Sequence, residues 1–196
     1  MLIDLHCHTQ PLSACSALTL DELVSAALAK GIDGLCLTEH DRAWDPAELA
    51  AVRLRSPLPL FSAVELTTDL GHVLAFGLPD SRSFSAIARA VFERAQRCGA
   101  LLFLAHPARD GLLKVSHETV EYFESVESQN GSDSKLQNLA AAGLARGFRL
   151  PGIGGSDAHT ADEVGRAATR FTGEVRSDAE LLDALRAGAY EAVPLT

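Results

Sequence analysis

Long apolar stretches are absent from this 196-residue sequence, in which no run approaches the roughly 20 apolar residues that a membrane-spanning helix needs. The first five residues carry no basic segment, and Asp4 interrupts their apolar character, so a secretory signal is not expected. Cysteines are also few. The four that are present have no CxxC spacing and are expected to be reduced thiols. These features predict a cytoplasmic protein without a membrane anchor.

Positive charge is scarce as well, since 17 Lys and Arg residues stand against 26 Asp and Glu residues and give a net charge of −9. This sign disfavours a protein that grips phosphate backbones through bulk charge, and no basic stripe with interleaved aromatic residues is present. A small substrate is therefore favoured over long nucleic acid. The composition, 47% hydrophobic and 22% charged, is typical of a globular chain and excludes disordered, collagen-like and coiled-coil proteins.

Short β-rich runs alternate with helical patterns along the whole sequence, which predicts one domain over residues 1–196. Strands are predicted at residues 2–8, 34–38, 58–65, 71–77, 100–105, 120–127, 150–154 and 168–172. Helices are predicted to begin at Thr19 and Asp45 and to cover residues 84–97, 133–146 and 177–187. The helix at Thr19 begins with a capping box and ends at Gly31.

This alternation of strands and helices is typical of an α/β fold with a mostly parallel sheet. A short link at residues 67–70 joins the third and fourth strands, so we expect a hairpin there. A doubly wound sheet and a barrel both fit the number of strands. Because the chain is shorter than the ~250 residues of an eight-unit barrel, a smaller or distorted barrel fits better.

Histidines are concentrated at the predicted ends of strands. Six of the seven lie at or just beyond the C-terminal end of a strand, or in a strand beside a carboxylate: His6, His8, His40, His72, His106 and His159. The C-terminal strand edges of α/β folds gather side chains from distant segments. These histidines can therefore form one cluster.

Two of these segments have the spacing of paired metal ligands. Residues two apart on a strand point to the same face, so His6 and His8 can bind one ion. Asp157 and His159 repeat the spacing after a pair of glycines, which allow close approach of the backbone. Taken singly, each motif has an ordinary interpretation as a core histidine, a solvated turn or a capping carboxylate. His106 is more telling, because an imidazole that ends a wholly apolar strand needs a hydrogen-bond partner or a metal.

The joint pattern favours a metal centre. Neutral imidazole and carboxylate groups are ligands of Zn²⁺, Mn²⁺ and Fe²⁺, and the six histidines with Glu65 and Asp157 exceed what one ion requires. We therefore expect two or three divalent ions, with a carboxylate such as Glu65 as a bridge. Two ions about 3.5–4 Å apart suit the hydrolysis of phosphate esters, because they hold both the hydroxide nucleophile and the phosphoryl oxygens.

The order of these motifs resembles the polymerase and histidinol phosphatase (PHP) family of metal-dependent phosphoesterases. The matching segments run along nearly the whole chain: residues 4–9, residues 37–41, Glu65 with His72, residues 105–107 and residues 155–159. The resemblance implies a distorted seven-stranded (β/α) barrel with a two- or three-metal site at its C-terminal rim. It also implies hydrolysis of phosphomonoesters or phosphodiesters.

The resemblance further implies a set of metal ligands. The first ion is assigned to His6, His8, Glu65 and Asp157. Glu65 bridges to a second ion held by His72 and His106, and a third ion is held by His40 and His159. The family usually has an aspartate a few residues after the second histidine of its first motif, whereas this chain has no carboxylate between His8 and Asp21. The third ion is therefore expected to be weaker, absent or held differently, with Cys15 as a candidate thiolate ligand.

Four residues are candidates for binding the substrate or for transferring a proton during its hydrolysis. Arg109 and, with less support, Arg166 are candidates for binding phosphate through a bidentate guanidinium. Asp157 or His159 is expected to assist proton transfer while a metal-activated water attacks phosphorus. The segment 127–130 resembles one that lines the family's pocket, and no ligand role is assigned to it.

Two alternative functions stay open from the sequence. Related barrels hydrolyse amides, often with a carbamylated lysine, but the chain has only Lys30, Lys114 and Lys135, and none clearly ends a strand. The other alternative is a non-catalytic interaction module stabilised by metal. Among phosphoesterases, a histidinol phosphatase, a nucleotide phosphatase and an exonuclease for short oligonucleotides would share these motifs. The substrate, the native metal and the oligomeric state are thus not fixed by the sequence.

Overall fold

A sheet of nine strands forms the centre of the part of the chain that the structure describes. The structure is a computed structural model that describes residues 1–79, 84–109 and 116–195. The strands are β1 (Leu2–Cys7), β2 (Gly34–Leu37), β3 (Leu60–Thr68), β4 (Gly71–Phe76), β5 (Leu101–Leu104), β6 (Ser125–Asn130), β7 (Ile153–Gly155), β8 (Ala167–Phe171) and β9 (Tyr190–Pro194). Their order across the sheet is β7-β6-β5-β4-β3-β2-β1-β8-β9.

The strands pair in both directions. The pairs β1–β2, β2–β3, β5–β6 and β6–β7 are parallel. The pairs β3–β4, β4–β5, β1–β8 and β8–β9 are antiparallel. The predicted hairpin of the third and fourth strands is confirmed. The sheet is more mixed than the mostly parallel one expected, because β3 turns directly into β4 and β4 then pairs antiparallel with β5.

The segment after β7 returns to the end of β1, so the sheet is nearly closed. There the backbone N–H of Asp157 donates to the carbonyl of His6 at 2.7 Å, and that of His8 donates to the carbonyl of Ala158 at 3.1 Å. Gly155 makes this approach possible, because a Cβ at its position would lie 2.6 Å from the backbone nitrogen of His6. The predicted α/β, barrel-like class is confirmed. The strand predicted at residues 168–172 is β8, and it forms an antiparallel pair with β9 beside β1.

The described ranges contain five α-helices: α1 (Leu20–Ala29), α2 (Pro46–Arg53), α3 (Ala88–Cys98), α4 (Lys135–Ala145) and α5 (Asp178–Ala187). The predicted capping box of Thr19 and Glu22 begins α1, and α3 ends at Gly99 in the left-handed conformation. In these ranges, no helix has both the length and the apolar character needed to cross a membrane.

Three apolar clusters hold the helices against the sheet. The first combines residues from most of the strands, such as Phe61 and Phe103, with Leu181 and Leu185 of α5. The second packs α1 and α2 against β1, β2 and β3, and the third packs α3 against β3 to β6. A fully buried side chain of this size contributes roughly 1.5–3 kcal/mol. The clusters therefore fix the strands whose ends carry the polar residues described below.

Some element boundaries differ from the prediction. Residues 120–122 form a 3₁₀ turn rather than the start of a strand, and β6 covers the polar sequence Ser125–Asn130 instead. The helix predicted from residue 84 begins at Ala88. The short strand β9 is missing from the prediction because its five residues do not alternate strictly between buried and exposed positions. The four cysteines are free, as predicted.

Candidate metal centre

The eight predicted ligands lie together at one end of the sheet. Each comes from a strand or from the turn that follows one, so the rigid sheet brings together residues that are distant in the sequence. Glu65 of β3 is at the centre, and its side chain is 1% exposed. Its two carboxylate oxygens lie 2.8–3.3 Å from ring nitrogens of five histidines: His6, His8, His40, His72 and His106.

The two oxygens of Glu65 have different surroundings. Oε1 lies 2.8 Å from Nδ1 of His72 and 3.0 Å from Nε2 of His106, and both contacts have hydrogen-bond geometry. Oε2 lies 3.0 Å from Nδ1 of His40 and 3.2 Å from Nε2 of His8, yet this buried atom has no hydrogen-bond partner among the described residues. A buried carboxylate oxygen without a donor is unfavourable. A cation bound among these atoms would satisfy it, so the residues fit a metal site.

Asp157 and His159 complete the cluster from the segment after β7. Oδ1 of Asp157 lies 3.3 Å from Nε2 of His8 and 3.5 Å from Nε2 of His6. Nδ1 of His159 lies 2.9 Å from the backbone oxygen of Asp157, and since that oxygen only accepts, the ring carries its proton on Nδ1 and leaves Nε2 free.

The ligand atoms form three overlapping groups within the described residues, each able to hold an ion. These groups are His6 with His8 and Asp157; His40 with Glu65 and His72; and His8 with His40 and His159. In each group the ligand atoms lie within 4.8 Å of one another. The grouping is close to the three-ion assignment implied by the family. It differs in that His40 accompanies Glu65 and His72, while His106 contacts Oε1 of Glu65 and belongs to none of the three groups.

Glu127 of β6 holds two of the histidines in place from behind the cluster. Its Oε1 lies 3.0 Å from Nδ1 of His6, and its Oε2 accepts the backbone N–H of His106 at 2.9 Å. Asn130 also donates to Glu127 at 2.9 Å and to Asp157 at 3.3 Å. Partners of this kind orient a ligand ring and fix which nitrogen faces the metal. The sequence indicated the segment of Glu127 and Asn130, but only the fold shows that both face the histidines.

Three residues of this region have a positive φ although they are not glycine. Asp41 has a φ of 52°, His106 of 25° and Asp157 of 53°. Such conformations are unfavourable for residues with a Cβ and occur where the surrounding structure imposes them, often at functional sites. Asp41 is held by hydrogen bonds from the backbone N–H and the hydroxyl of Thr67, at 2.7 and 2.9 Å.

The cluster is electrostatically coupled. Burial lowers the pKa of His6, but the charges of Glu127, Asp157 and Glu65 outweigh it and raise that pKa well above its usual value. Burial raises the pKa of Glu65 and Asp157, yet His6 and the surrounding hydrogen bonds hold both carboxyl pKa values below their usual range. His40 differs, because burial and the neighbouring histidines lower its pKa despite Glu65.

Arg109 lies at the edge of the cluster, where the sequence predicted a phosphate-binding residue. Its Nη1 contacts Asp157 at 2.8 Å, its Nε contacts Asp133 at 2.7 Å, and its Nη2 donates to Asn130 at 3.0 Å. The second predicted arginine, Arg166, forms its described hydrogen bonds through the backbone, with Glu163 and Leu195.

Cys15, predicted as a candidate ligand, is exposed and belongs to none of the three groups found in the described part of the chain. Burial raises the pKa of its thiol, which disfavours a thiolate at neutral pH.

The fold and this cluster define a class of protein, and the comparison with known families agrees with it. Residues 4–70 match the PHP domain, and residues 135–190 match the PHP_C family, which is described as PHP-associated. The two segments together take in more than half of the chain. The chain therefore contains a PHP domain, as its motifs predicted, followed by a PHP-associated segment.

Particular relatives are more distant. A 3′,5′-nucleoside bisphosphate phosphatase of Chromobacterium violaceum is 31% identical over 109 residues, which are 51% of this chain and 38% of that protein. The chain thus matches less than half of the length of this curated relative.

Three solved structures share the fold. PsfC from Pseudomonas syringae has a TM-score of 0.72 at 19% identity and covers 98% of this chain and 90% of its own. A candidate metal-dependent phosphoesterase of Bifidobacterium adolescentis has a TM-score of 0.65 at 17% identity, with 95% and 96% covered. An amidohydrolase of C. violaceum, solved with bound sulfate, has a TM-score of 0.64 at 17% identity, with 99% and 98% covered.

Proposed function

We propose that this chain is a metal-dependent phosphoesterase that hydrolyses a small phosphomonoester or phosphodiester. The observation that carries the proposal is the convergence of six histidines, Glu65 and Asp157 at one end of the sheet. Within the described part of the chain, the buried Oε2 of Glu65 has no hydrogen-bond donor. Family membership supports the same chemistry. The name of the C. violaceum relative, a nucleoside bisphosphate phosphatase, supports phosphate esters as substrates.

Two or three divalent ions, zinc, manganese or iron, would be held by the eight clustered side chains. His6, His8 and Asp157 would hold one ion, Glu65 would bridge to a second with His72 and His106, and His40 with His159 would hold a third. Bound ions of this kind supply a hydroxide nucleophile at neutral pH and neutralise the charge that develops on phosphoryl oxygens.

His159 is the better candidate for proton transfer. Asp157 is held ionised, since its pKa lies below the usual range, so it serves as an anchor and not as a proton donor. His159 is 28% exposed at the rim, and its Nε2 is free because Nδ1 is bonded to the backbone of Asp157. The same nitrogen would ligate a third ion, so His159 could accept a proton at Nε2 and pass it on only when that ion is absent.

Arg109 is the proposed phosphate-binding residue. Its guanidinium is one-third exposed and stands beside Asp157, so a phosphoryl group at the cluster would lie within its reach. The carboxylates of Asp133 and Asp157 raise the pKa of Arg109 and keep it charged, although burial opposes this. Arg166 remains a weaker proposal, because its described contacts do not involve the cluster.

The proposed substrate is a nucleotide or a phosphorylated metabolite. A net charge of −9 leaves no bulk attraction for long nucleic acid, so recognition of the anion falls to the ions and to Arg109. A short oligonucleotide fits the same chemistry. The fold neighbour from C. violaceum was solved with sulfate, a tetrahedral dianion like phosphate, but at 17% identity this likeness concerns the fold alone.

Amide hydrolysis is the alternative, since that same neighbour is named an amidohydrolase. The described lysines do not favour it. Nζ of Lys30 donates to the backbone oxygens of Asp162 and Val164, and Lys135 is exposed at the start of α4. Lys114 lies outside the described residues. A carbamylated lysine at the cluster is therefore not supported by either described lysine.

The test is hydrolysis of p-nitrophenyl phosphate and its diester by protein supplied with Mn²⁺, Zn²⁺ or Fe²⁺. We expect metal-dependent release of p-nitrophenol that EDTA abolishes. Glu65→Gln should be inactive, and Glu93→Gln, on the exposed surface of α3, should equal the wild type. A panel of nucleoside bisphosphates, monophosphates, dinucleotides, histidinol phosphate and a dipeptide then separates the candidate substrates. Absence of phosphate release with every metal and ester, or cleavage of the amide alone, would contradict the proposal.

A further inference from the structure

A second buried carboxylate, Glu39, lies beside the metal centre without belonging to it. Its side chain is inaccessible to solvent and accepts hydrogen bonds from four donors. These are the backbone N–H and the hydroxyl of Thr9, the hydroxyl of Ser13 at 2.5 Å and Nε1 of Trp44 at 3.1 Å. With its lone pairs used in this way, Glu39 is stable as a buried carboxylate, and it offers no free oxygen to a metal ion.

The hydroxyl of Ser13 connects Glu39 to His8. Oγ of Ser13 also lies 3.3 Å from Nδ1 of His8 and 3.2 Å from the backbone nitrogen of His40. A hydroxyl has one proton and two lone pairs. Because a carboxylate can only accept, the hydroxyl of Ser13 donates its hydrogen bond to Glu39. The two lone pairs of the Ser13 oxygen then accept from the backbone N–H of His40 and from Nδ1 of His8.

These assignments determine the tautomer of His8. Its Nδ1 must carry a proton, so the lone pair of the neutral ring is on Nε2. That nitrogen lies 3.2 Å from Glu65 and 3.3 Å from Asp157, which is the side where an ion would be bound. A hydrogen bond to one ring nitrogen commonly fixes the other as the metal ligand.

We propose that Glu39 and Ser13 are positioning residues, a carboxylate–hydroxyl relay that fixes His8 in the Nδ1–H tautomer and thereby strengthens metal binding by this ring. The proposal rests on the proposed function only in naming a metal ion as the group that His8 receives. It also gives the hydroxyl at residue 13 a role in this chain, which lacks a carboxylate between His8 and Asp21. Ser13 is committed to Glu39, His8 and His40 and is not itself a ligand.

The sharpest test is Glu39→Gln. Oε1 of Glu39 faces more donors than Oε2, so the amide oxygen of glutamine should take the Oε1 position and the NH₂ group should face Ser13. The amide would then donate to Ser13, and the hydroxyl proton would turn to Nδ1 of His8. We expect the tautomer of His8 to change from Nδ1–H to Nε2–H. Ser13→Ala should leave a mixture of tautomers, and Ser13→Thr, which keeps the hydroxyl, should resemble the wild type.

Two measurements provide the readout. The first is the ¹⁵N shifts of the His8 ring in metal-free, ¹⁵N-histidine-labelled protein at alkaline pH, where the ring is neutral. The second is the dissociation constant for Mn²⁺, by competition with a chromogenic chelator. We expect Glu39→Gln and Ser13→Ala to raise this constant about 10-fold or more, as changes to the outer partners of metal ligands typically do. Ser16→Ala is the matched control, because its hydroxyl donates to the carbonyl of His8 and not to the ring.

An unchanged His8 tautomer in Glu39→Gln overturns the relay, and so does unchanged Mn²⁺ affinity in both Glu39→Gln and Ser13→Ala. If Ser13→Ala does not fold, Glu39→Gln alone decides. The tautomer is measured without metal. If the wild type hydrolyses no phosphate ester, the proposed function fails while the relay is still judged by the ring shifts.

Discussion

The buried half and the exposed half of the metal centre hold their histidines in different ways. The buried half consists of His6, His8 and His106, whose side chains are at most 4% exposed. The exposed half consists of His40, His72 and His159, whose side chains are 28–30% exposed. In the buried half, Glu127 and Ser13 contact the nitrogens that face away from Glu65. In the exposed half, the ring of His40 contacts Glu65, and the ring of His159 contacts the backbone oxygen of Asp157.

This difference indicates how the centre is organised. The rings of His6 and His8 are oriented by Glu127 and Ser13 before any ion is bound, so little ordering of these two rings remains for binding itself. The exposed half is open to solvent, where substrate and an exchangeable ion can enter. We therefore expect tight, early binding of metal in the buried half and weaker, substrate-accessible binding in the exposed half.

The largest expected effect is that of Glu65→Gln, because the carboxylate of Glu65 contacts five of the six clustered histidines, in both halves. The neutral amide removes one ligand oxygen and the negative charge from each ion it would bridge. Loss of an outer partner of a metal ligand typically lowers metal affinity or activity by roughly 10–100-fold. We expect Glu65→Gln to lower both metal affinity and phosphate ester hydrolysis by more than this. Elemental analysis after dialysis gives the metal content. A variant that keeps two equivalents of metal would contradict the central position of Glu65.

The second-largest expected effect concerns Asp4, which accepts a hydrogen bond from the backbone N–H of His6 in the buried half. Burial raises the pKa of this carboxyl to about 6, although hydrogen bonds from Ser156 and the backbone of His6 oppose the shift. The pKa of Asp4 is higher in the folded chain than in the unfolded chain, so its contribution to the free energy of unfolding is fully present at low pH. This contribution is lost as the pH rises from about 4 to 6. The loss amounts to about 3 kcal/mol.

Asp4→Asn should remove this dependence while keeping an acceptor for the backbone donors. The measurement is urea unfolding of metal-free wild type and variant from pH 4 to pH 7. We expect the free energy of unfolding of the wild type to decline relative to that of the variant over this range. Parallel curves would show that Asp4 does not ionise in this interval.

The comparison of the two halves also shows what could be predicted from the sequence. His6, His106 and Asp157 were predictable because each follows or ends an apolar strand, where a polar side chain needs a partner. Glu127 was not assigned a role, because β6 is polar except for Val126 and its sequence does not indicate that nearly every residue of the strand is buried. Ser13 contacts both the ring of His8 and the carboxylate of Glu39 because of the path of the turn after β1, and the local sequence does not determine this path.

The grouping of ligands into individual ions was likewise beyond the sequence. His40 can share an ion with Glu65 and His72 or with His8 and His159, and the choice depends on the register of β2 and β3 and on ring orientation. The barrel-like fold was easier to predict, because the alternation of strands and helices along the sequence indicates an α/β fold. Strand β9 was harder, because a short strand at the edge of the sheet carries little pattern.

The third prediction concerns competition between protons and metal ions, which should differ between the buried and the exposed half. The carboxylates of the buried half raise the pKa of His6, whereas burial and neighbouring histidines lower that of His40. A metal ion must displace the proton of His6 but finds His40 neutral. Below the raised pKa of His6, affinity should therefore increase about 10-fold per pH unit for the one proton released. Mn²⁺ competition titrations at several pH values measure the slope. His40→Ala should leave the slope of the first equivalent unchanged, and a flat profile in the wild type would refute the argument.

The smallest effect concerns substrate at the exposed edge. Arg109→Lys keeps the charge but loses the planar fork that suits phosphate, and loss of one charge-assisted hydrogen bond is worth about 1.5–3 kcal/mol. We expect KM for the best phosphate ester to rise about 10-fold or more, with metal content unchanged. Arg166→Lys tests the weaker candidate, and we expect a smaller rise in KM because the described contacts of Arg166 do not involve the cluster. Should Arg166→Lys raise KM and Arg109→Lys not, the phosphate would approach from the β8 side of the pocket, and the entrance to the exposed half would have to be reassigned.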